Sequence, residues 1–178
     1  MALHPIAKAT LQAALISAGS NMLAQGISSY RDETQFELDS QALFQFTTSA
    51  LVLSPLTFLW LEGLEATFPG SDNATEKENE KPKLNVKNTV AKIVVDQVVG
   101  GAWYTVAFIA TMGFLRGQDY EVIKGQIQND FWPILIAGFK LWPLVSILNF
   151  TVVPADKRLL VGNLFGLVWG IYLSLMAA

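Results

Sequence analysis

The stretch 142–174, WPLVSILNFTVVPADKRLLVGNLFGLVWGIYLS, decides the fold class of this chain, because it consists of two apolar segments joined by one charged turn. Asp156, Lys157 and Arg158 form the turn, and the twenty residues 159–178 carry no charge. A helix needs about twenty apolar residues to cross roughly 30 Å of hydrocarbon. The sequence therefore predicts a membrane-spanning helix over these last residues.

The same apolar character recurs along the whole chain. Of its 178 residues, 52% are hydrophobic and only 15% are charged. Five apolar segments are visible, at about 6–27, 41–61, 90–115, 131–153 and 159–176. Soluble helices of this length alternate apolar and polar faces, whereas these segments are apolar nearly all round. We therefore expect an all-α, polytopic membrane bundle with four to five hydrophobic helices in a single domain, residues 1–178.

Residues 62–87 form the long polar connection, between the second and third apolar segments. The stretch is rich in Glu, Lys, Asn and Pro, and it cannot bury enough apolar surface to fold alone, so we expect a flexible loop. If all five segments span, eight Lys and Arg residues fall on the side of this loop and three on the opposite side. The positive-inside rule then places the amino terminus and the loop on the positive side of the membrane.

The chain lacks the residues that several classes of function require. The chain has no cysteine and one histidine, His4, which leaves no material for disulfides, thiol catalysis, a Ser-His-Asp triad or a two-histidine zinc site. A net charge of -3 argues against a nucleic-acid partner, since neutralising phosphates requires clustered Lys and Arg. We expect neither an enzyme nor a bound cofactor.

Two charged residues interrupt the apolar segments, Asp96 and Lys140. A charge at the centre of a bilayer costs at least about 2.5–3.5 kcal/mol, so it normally faces a bundle interior or a water-filled cavity. Asp96 could pair with Lys92 one turn earlier at the start of a helix, or it could line a pore. Lys140 lies near Trp142, a residue type that prefers the interface, which indicates a hydrocarbon edge close by. The residues that we expect to line or support a polar pathway are Asp96, Gln97, Lys140, Asn149 and Asn163.

Pro143 and Pro154 bracket a short apolar passage that contains Asn149. A proline inside a helix frees the carbonyl four residues earlier, here that of Phe139, and such a carbonyl is tolerated at membrane depth where neighbours or water satisfy it. Two interpretations remain open. Asn149 forms an ordinary hydrogen bond between helices, or the passage is a kinked, partly hydrated segment that lines a pathway.

Gly162, Gly166 and Gly170 recur at every fourth position and are followed by Ser174, which places them on one helix face. Such a face lets another helix approach closely, either within the chain, which we favour, or in a homo-oligomer. Arg158 is expected to extend to lipid headgroups rather than to pair with Asp96. The expected interface anchors are Trp142, Arg158, Trp169 and Tyr172. A polar stripe that could line water lies on the first segment, at Ala9, Ala13, Ser17, Asn21 and Gln25.

The order and spacing of several residues are those of a known family. They are Trp142, Pro143, Asn149, Phe150, Val153, Pro154, Arg158, Trp169, Tyr172, Leu173 and Ser174, with a weaker match at Asp96 and Gln97. In these residues the chain resembles the Mpv-seventeen family of peroxisomal and mitochondrial inner-membrane proteins. It departs from the family pattern at Asn21, Ala102, Ser146 and Gly170, where Asp, Pro, Gln and Asn are common.

The resemblance implies a pore or permeability modulator that supports metabolite balance and stress tolerance. It also implies an organelle membrane, with the mitochondrial inner membrane slightly favoured over the peroxisomal one. The alternative is a non-conducting adaptor that recruits a protein partner through the polar loop 62–87. The family is usually drawn with about four spans, which would leave the first segment at the membrane interface.

Overall fold

The computed structural model describes residues 4–70 and 84–176, with the side chains of the last helix described through residue 169. Its regular structure is helical, which confirms the predicted all-α class. The helices are α1 (Pro5–Arg31), α2 (Ser40–Thr67), α3 (Val86–Val95), α4 (Gly101–Leu115), α5 (Tyr120–Gly138), α6 (Trp142–Thr151) and α7 (Arg158–Met176).

Helices α3 and α4 form one continuous rod, because a π-helical turn, Asp96–Gly100, joins them without a break. Within the described residues, α2 and this rod are each long and apolar enough to cross a membrane. Helices α5 and α6 together also pass this test, although they are bent by 56° where they meet. The described chain thus contains two spans by length and composition, or three if the bent pair counts as one, and its apolar helices imply contact with a lipid bilayer.

Side-chain caps fix where two of these helices begin. The Asp39 carboxylate accepts a hydrogen bond from the Ala42 amide at the start of α2, and Asn85 does the same for Asn88 at the start of α3. Helix α2 continues through Thr67, into the polar stretch 62–87. The reason is that polar residues in its last turns form contacts inside the protein, described below. Residues 71–83 of the predicted loop lie outside the described residues.

Helix α1 packs against α2 and α7, and its polar stripe contacts protein in place of the predicted water. The Ser17 hydroxyl donates to the Phe46 carbonyl at 3.0 Å. The Gln25 side chain forms two hydrogen bonds with the backbone of Asp39. It donates to the Asp39 carbonyl at 3.1 Å and accepts from the Asp39 amide at 2.8 Å. The stripe therefore secures the start of α2.

The two prolines of the 142–174 block lie at helix ends. Pro143 stands in the first turn of α6, where its missing N–H costs nothing, and Pro154 precedes a short 3-10 turn, Ala155–Lys157. The chain therefore breaks after α5 and starts a new helix, so Pro143 is not inside a helix as the sequence had suggested. Trp142 packs on Gly138 across this break, since a Cβ on Gly138 would lie 3.1 Å from its Cδ1 atom.

Candidate functional site

A column of polar side chains runs between α2, the α3–α4 rod and α6. Lys92 and Asp96 lie four residues apart on the rod, so they share one face about one helical turn apart. Each is the centre of one layer of contacts. The carboxylate layer consists of Trp60, Asp96, Gln97 and Ser146, and the ion-pair layer consists of Glu65, Lys92, Phe150 and Arg158. We call the two layers together the polar column.

The carboxylate layer is built around Asp96. Its Oδ1 atom accepts from the Trp60 indole N–H at 3.0 Å, and its Oδ2 atom accepts from the Ser146 hydroxyl at 2.6 Å. The Gln97 amide donates to the same hydroxyl at 2.8 Å. Two consecutive residues of the π-helical turn thus contact one residue of α6. Ser146, one of the departures from the family pattern, connects them.

Gly100 lets α2 approach the carboxylate layer closely. It is buried, and a Cβ at this position would lie 2.9 Å from the Trp60 Nε1 atom and 3.0 Å from Asp96 Oδ1. These are the two atoms of one hydrogen bond, so any side chain here would push donor and acceptor apart. The family-like Asp-Gln pair therefore depends on a glycine one turn later.

The first prediction concerns this glycine. Gly100→Ala is expected to lower the free energy of unfolding by about 1–3 kcal/mol, since the added methyl group overpacks the Trp60–Asp96 contact. Gly125→Ala is the matched control, because Gly125 lies inside α5 with no atom within 4 Å of its Cβ position. The control should be stabilising by up to about 1 kcal/mol. Thermal unfolding in detergent measures both, and equal shifts would contradict the packing argument.

The ion-pair layer contains one carboxylate and two cations. The Glu65 Oε2 atom accepts from Lys92 Nζ at 2.7 Å and from the Arg158 Nη1 atom. Its Oε1 atom accepts from the Gly70 amide at 2.8 Å. Lys92 is 0% exposed and Arg158 is 6% exposed, whereas the Glu65 side chain is 31% exposed. The one negative charge of Glu65 thus balances only one of the two positive charges that are buried here.

Arg158 also holds the turn between α6 and α7. Its Nε atom donates to the carbonyls of Asn149 at 3.0 Å and Val153 at 3.3 Å, and Asn149 Nδ2 donates back to the Arg158 carbonyl at 3.3 Å. The Phe150 ring lies near both cations, with its centroid 5.4 Å from Lys92 Nζ and 5.1 Å from the guanidinium carbon. Cation–π attraction therefore adds to the ion pairs.

The structure brings some of the predicted pathway residues together and separates others. Asp96 and Gln97 meet in the carboxylate layer, and Asn149 is buried beside Arg158. Lys140 is exposed in the turn between α5 and α6. Among the described residues, the buried Asn149 Oδ1 and Asn163 Nδ2 atoms have no hydrogen-bond partner. Of the five residues predicted to line a pathway, Asp96 and Gln97 belong to the polar column.

Two expectations about charge pairing are corrected. Pairing with Lys92 was one of the two interpretations of Asp96, but Lys92 binds Glu65, and Asp96 is held by neutral donors. Arg158 was expected at the headgroups, yet it is buried against Glu65. Both corrections have one physical cause. Glu65 enters the bundle at the end of α2 and offers a carboxylate to both cations.

Glu65 and Trp60 are the members of the column that the sequence did not reveal. Glu65 stood in a stretch interpreted as a polar loop, and it is 27 residues from Lys92 and 93 residues from Arg158 in the chain. No local spacing connects residues at such separations. The one sequence signal for Glu65 was its position as a charged residue shortly after the apolar segment 41–61.

The glycine face of α7 contacts α6. A Cβ on Gly162 would lie 3.9 Å from Asn149 Nδ2, and one on Gly166 would lie 4.0 Å from the Trp142 ring. These contacts are within the chain, as we favoured from the sequence. Trp169 is half-buried in the same helix. The side chains of Tyr172 and Ser174 lie outside the described part of the structure, which gives the helical backbone at these positions and at Gly170.

Long apolar helices that enclose charged and hydrogen-bonded side chains define a helical membrane protein. Comparison with known proteins identifies the family of membrane proteins. Residues 113–174 match the Mpv17 / PMP22 family. The chain is 32% identical to PXMP2/4 family protein 3 of Dictyostelium discoideum, over 97% of this chain and 84% of that protein. It is 29% identical to protein sym1 of Schizosaccharomyces pombe, over 98% and 85% of the two chains.

A Mpv17-like protein of Bos taurus is 30% identical over 66% of this chain and 53% of its own length. No solved structure matches the chain. The chain belongs to the Mpv17/PMP22 family, which confirms the resemblance seen in its sequence.

Proposed function

We propose that this chain is a small multi-pass protein of an organelle membrane that forms a pore or modulates permeability, and so supports metabolite balance and stress tolerance. The observation that carries the proposal is the position of Asp96. It lies inside the span Val86–Leu115, about 15 Å along the helix axis from Val86.

A carboxylate at this depth is costly, at about 2.5–3.5 kcal/mol or more, and such residues mark functional sites by default. Among the described residues, no basic side chain forms a salt bridge with Asp96. Its partners, Trp60 and Ser146, are neutral. A purely structural contact could be made by an uncharged residue, so a carboxylate that is held only by neutral donors supports a role toward a solute or an ion.

In this proposal the polar column is the closed state of the pore, because its side chains are hydrogen-bonded to one another. Opening would require α6 to separate from α2 and from the rod. Helix α6 is ten residues long. A non-helical turn separates it from α5 at one end, and Pro154 follows its other end. These features favour its movement as a unit.

The remaining parts of the proposal rest on family membership and on the apolar segments. We place the chain in the mitochondrial inner membrane in preference to the peroxisomal membrane. We assign it four to five spans, with α7 and, in the larger number, α1 added to those described above. We also propose that it is not an enzyme and that it binds no cofactor.

Reconstitution in planar bilayers tests the function. Wild-type protein is expected to conduct, and Asp96→Asn is expected to change the conductance severalfold or to shift the cation-to-anion selectivity, because it removes a carboxylate within the span and keeps the shape. Asp119→Asn is the matched control, since Asp119 is exposed at the start of α5. Absence of conductance and of solute flux from folded wild-type protein, at several voltages, would refute the pore.

The same preparation distinguishes the adaptor alternative. Residues 71–82 are replaced by a Gly-Ser linker, which leaves Gly70 and its contact with Glu65 in place. A pore should keep its flux. Loss of partner capture with unchanged flux would assign the loop to an adaptor role, and loss of flux would connect the loop to permeation.

A further inference from the structure

We propose that the ion-pair layer is a binding site for a small anion, a carboxylate or a phosphate, and that Glu65 occupies this site as an internal, displaceable counter-ion. As a statement about the transported solute, this inference rests on the proposed function. As a statement about binding, it rests on the geometry alone.

The charge balance is the first reason. Lys92 and Arg158 bring two positive charges into a buried space, and Glu65 supplies one negative charge. Both cations converge on the same oxygen, Oε2. Two donors on one anionic oxygen is the arrangement that a bound carboxylate or phosphate would have. The layer keeps one excess positive charge while Glu65 is present and two when it leaves.

The cations are held in place by contacts that do not involve Glu65. Arg158 uses its Nε atom for the Asn149 and Val153 carbonyls, which leaves its Nη1 atom for the anion. The Phe150 ring supports both cations from one side. A site that is fixed before binding loses little entropy when a ligand arrives. Removal of Glu65 would therefore leave a formed anion site.

Glu65 is the member of the layer that can leave. Its side chain is 31% exposed, while Lys92 is fully buried behind it. It stands in the last turn of α2, which ends at Thr67. The solute therefore reaches the cations from the side of the carboxylate.

The depth of the cations favours a free solute over a lipid headgroup. Lys92 is 0% exposed and Arg158 is 6% exposed, so a phosphate that is fixed to a lipid at the membrane surface cannot contact them while the helices stay packed. A small anion that takes the place of the Glu65 carboxylate needs only that one side chain to move.

Chemical rescue tests the site in full-length protein, purified in an uncharged detergent without anionic lipid. Glu65→Ala removes the internal anion and leaves its space empty. The probes are sodium acetate and sodium phosphate, with sodium chloride at the same ionic strength as the reference. We expect a lowered melting temperature for Glu65→Ala, and we expect acetate or phosphate to restore several degrees more than chloride does. Wild-type protein should show a smaller preference in the same direction, because Glu65 competes with the probe, and Glu62→Ala, which changes an exposed neighbour on α2, should behave as the wild type does.

Failure of both probes to exceed chloride would overturn the site. If Glu65→Ala does not fold, Glu65→Gln keeps the side-chain volume, and titration calorimetry with phosphate then takes the place of melting. Tighter phosphate binding by Glu65→Gln than by wild-type protein supports the site, and equal or absent binding refutes it. Rescue by anionic lipid vesicles but not by free acetate or phosphate would also refute it, since the occupant would then be a headgroup.

These readouts do not depend on conduction. Rescue without flux would retain the anion site and remove the pore. Flux without rescue would retain the pore and remove this inference.

Discussion

Replacing Glu65 by glutamine is expected to lower the free energy of unfolding by about 3–5 kcal/mol, because Lys92 and Arg158 would stay buried without a counter-charge. Breaking a buried ion pair by removing one partner costs more than the pair contributes, since the remaining charge loses both water and its partner. Here one substitution leaves two such charges. Unfolding by heat or denaturant in detergent, followed by circular dichroism, measures the effect.

Glu62→Gln serves as the control for that experiment. Glu62 is exposed on the same helix, and its loss should change the free energy of unfolding by no more than about 0.5 kcal/mol. Equal effects of the two substitutions would show that the carboxylate at position 65 contributes through its place on α2 and not through the cations.

Arg158→Ala is expected to lower the free energy of unfolding by a similar amount, about 3–5 kcal/mol, because the Arg158 side chain makes two separate sets of contacts. It pairs with Glu65, and it donates to the carbonyls of Asn149 and Val153 in the turn before α7. Arg158→Lys should fall between the wild type and alanine, since lysine keeps the charge but lacks the planar fork that reaches both sets of acceptors at once.

Lys157→Ala is the matched control for Arg158, because the preceding side chain is exposed. It should have almost no effect on the melting temperature. The double variant Glu65→Gln with Arg158→Ala should be less destabilised than the sum of the single variants, as expected for residues in contact. Strict additivity would contradict the direct pairing of these two residues.

The sequence was sufficient for the features that depend on local composition. Apolar segments at 41–61 and 90–115 became α2 and the α3–α4 rod, and the prolines at 143 and 154 mark the two ends of α6. Asp96 was singled out because a charge inside an apolar segment is expensive wherever the segment packs, and Gln97 because it follows Asp96 in the family-like pair.

The features that depend on distant contacts could not be predicted. Glu65 belongs to the column only because α2 runs further than its apolar residues do, and the energy for that last turn comes from Lys92 and Arg158 in other parts of the chain. The π-helical turn has no sequence signature, since its five residues are compatible with an ordinary helix. The sequence likewise gave no means to choose a neutral partner, Ser146, over a nearby lysine for Asp96.

The π-helical turn at Asp96–Gly100 has a consequence for how the rod can change. A π turn acts as an insertion of one residue, which rotates everything after it by roughly 100° relative to an uninterrupted α-helix. Helix α3 is thereby oriented toward α6, while α4 is oriented toward α5. The two halves of this span therefore turn different faces to different neighbours. Substitutions that adjust the packing of α4 against α5 can accumulate without moving Lys92 on α3.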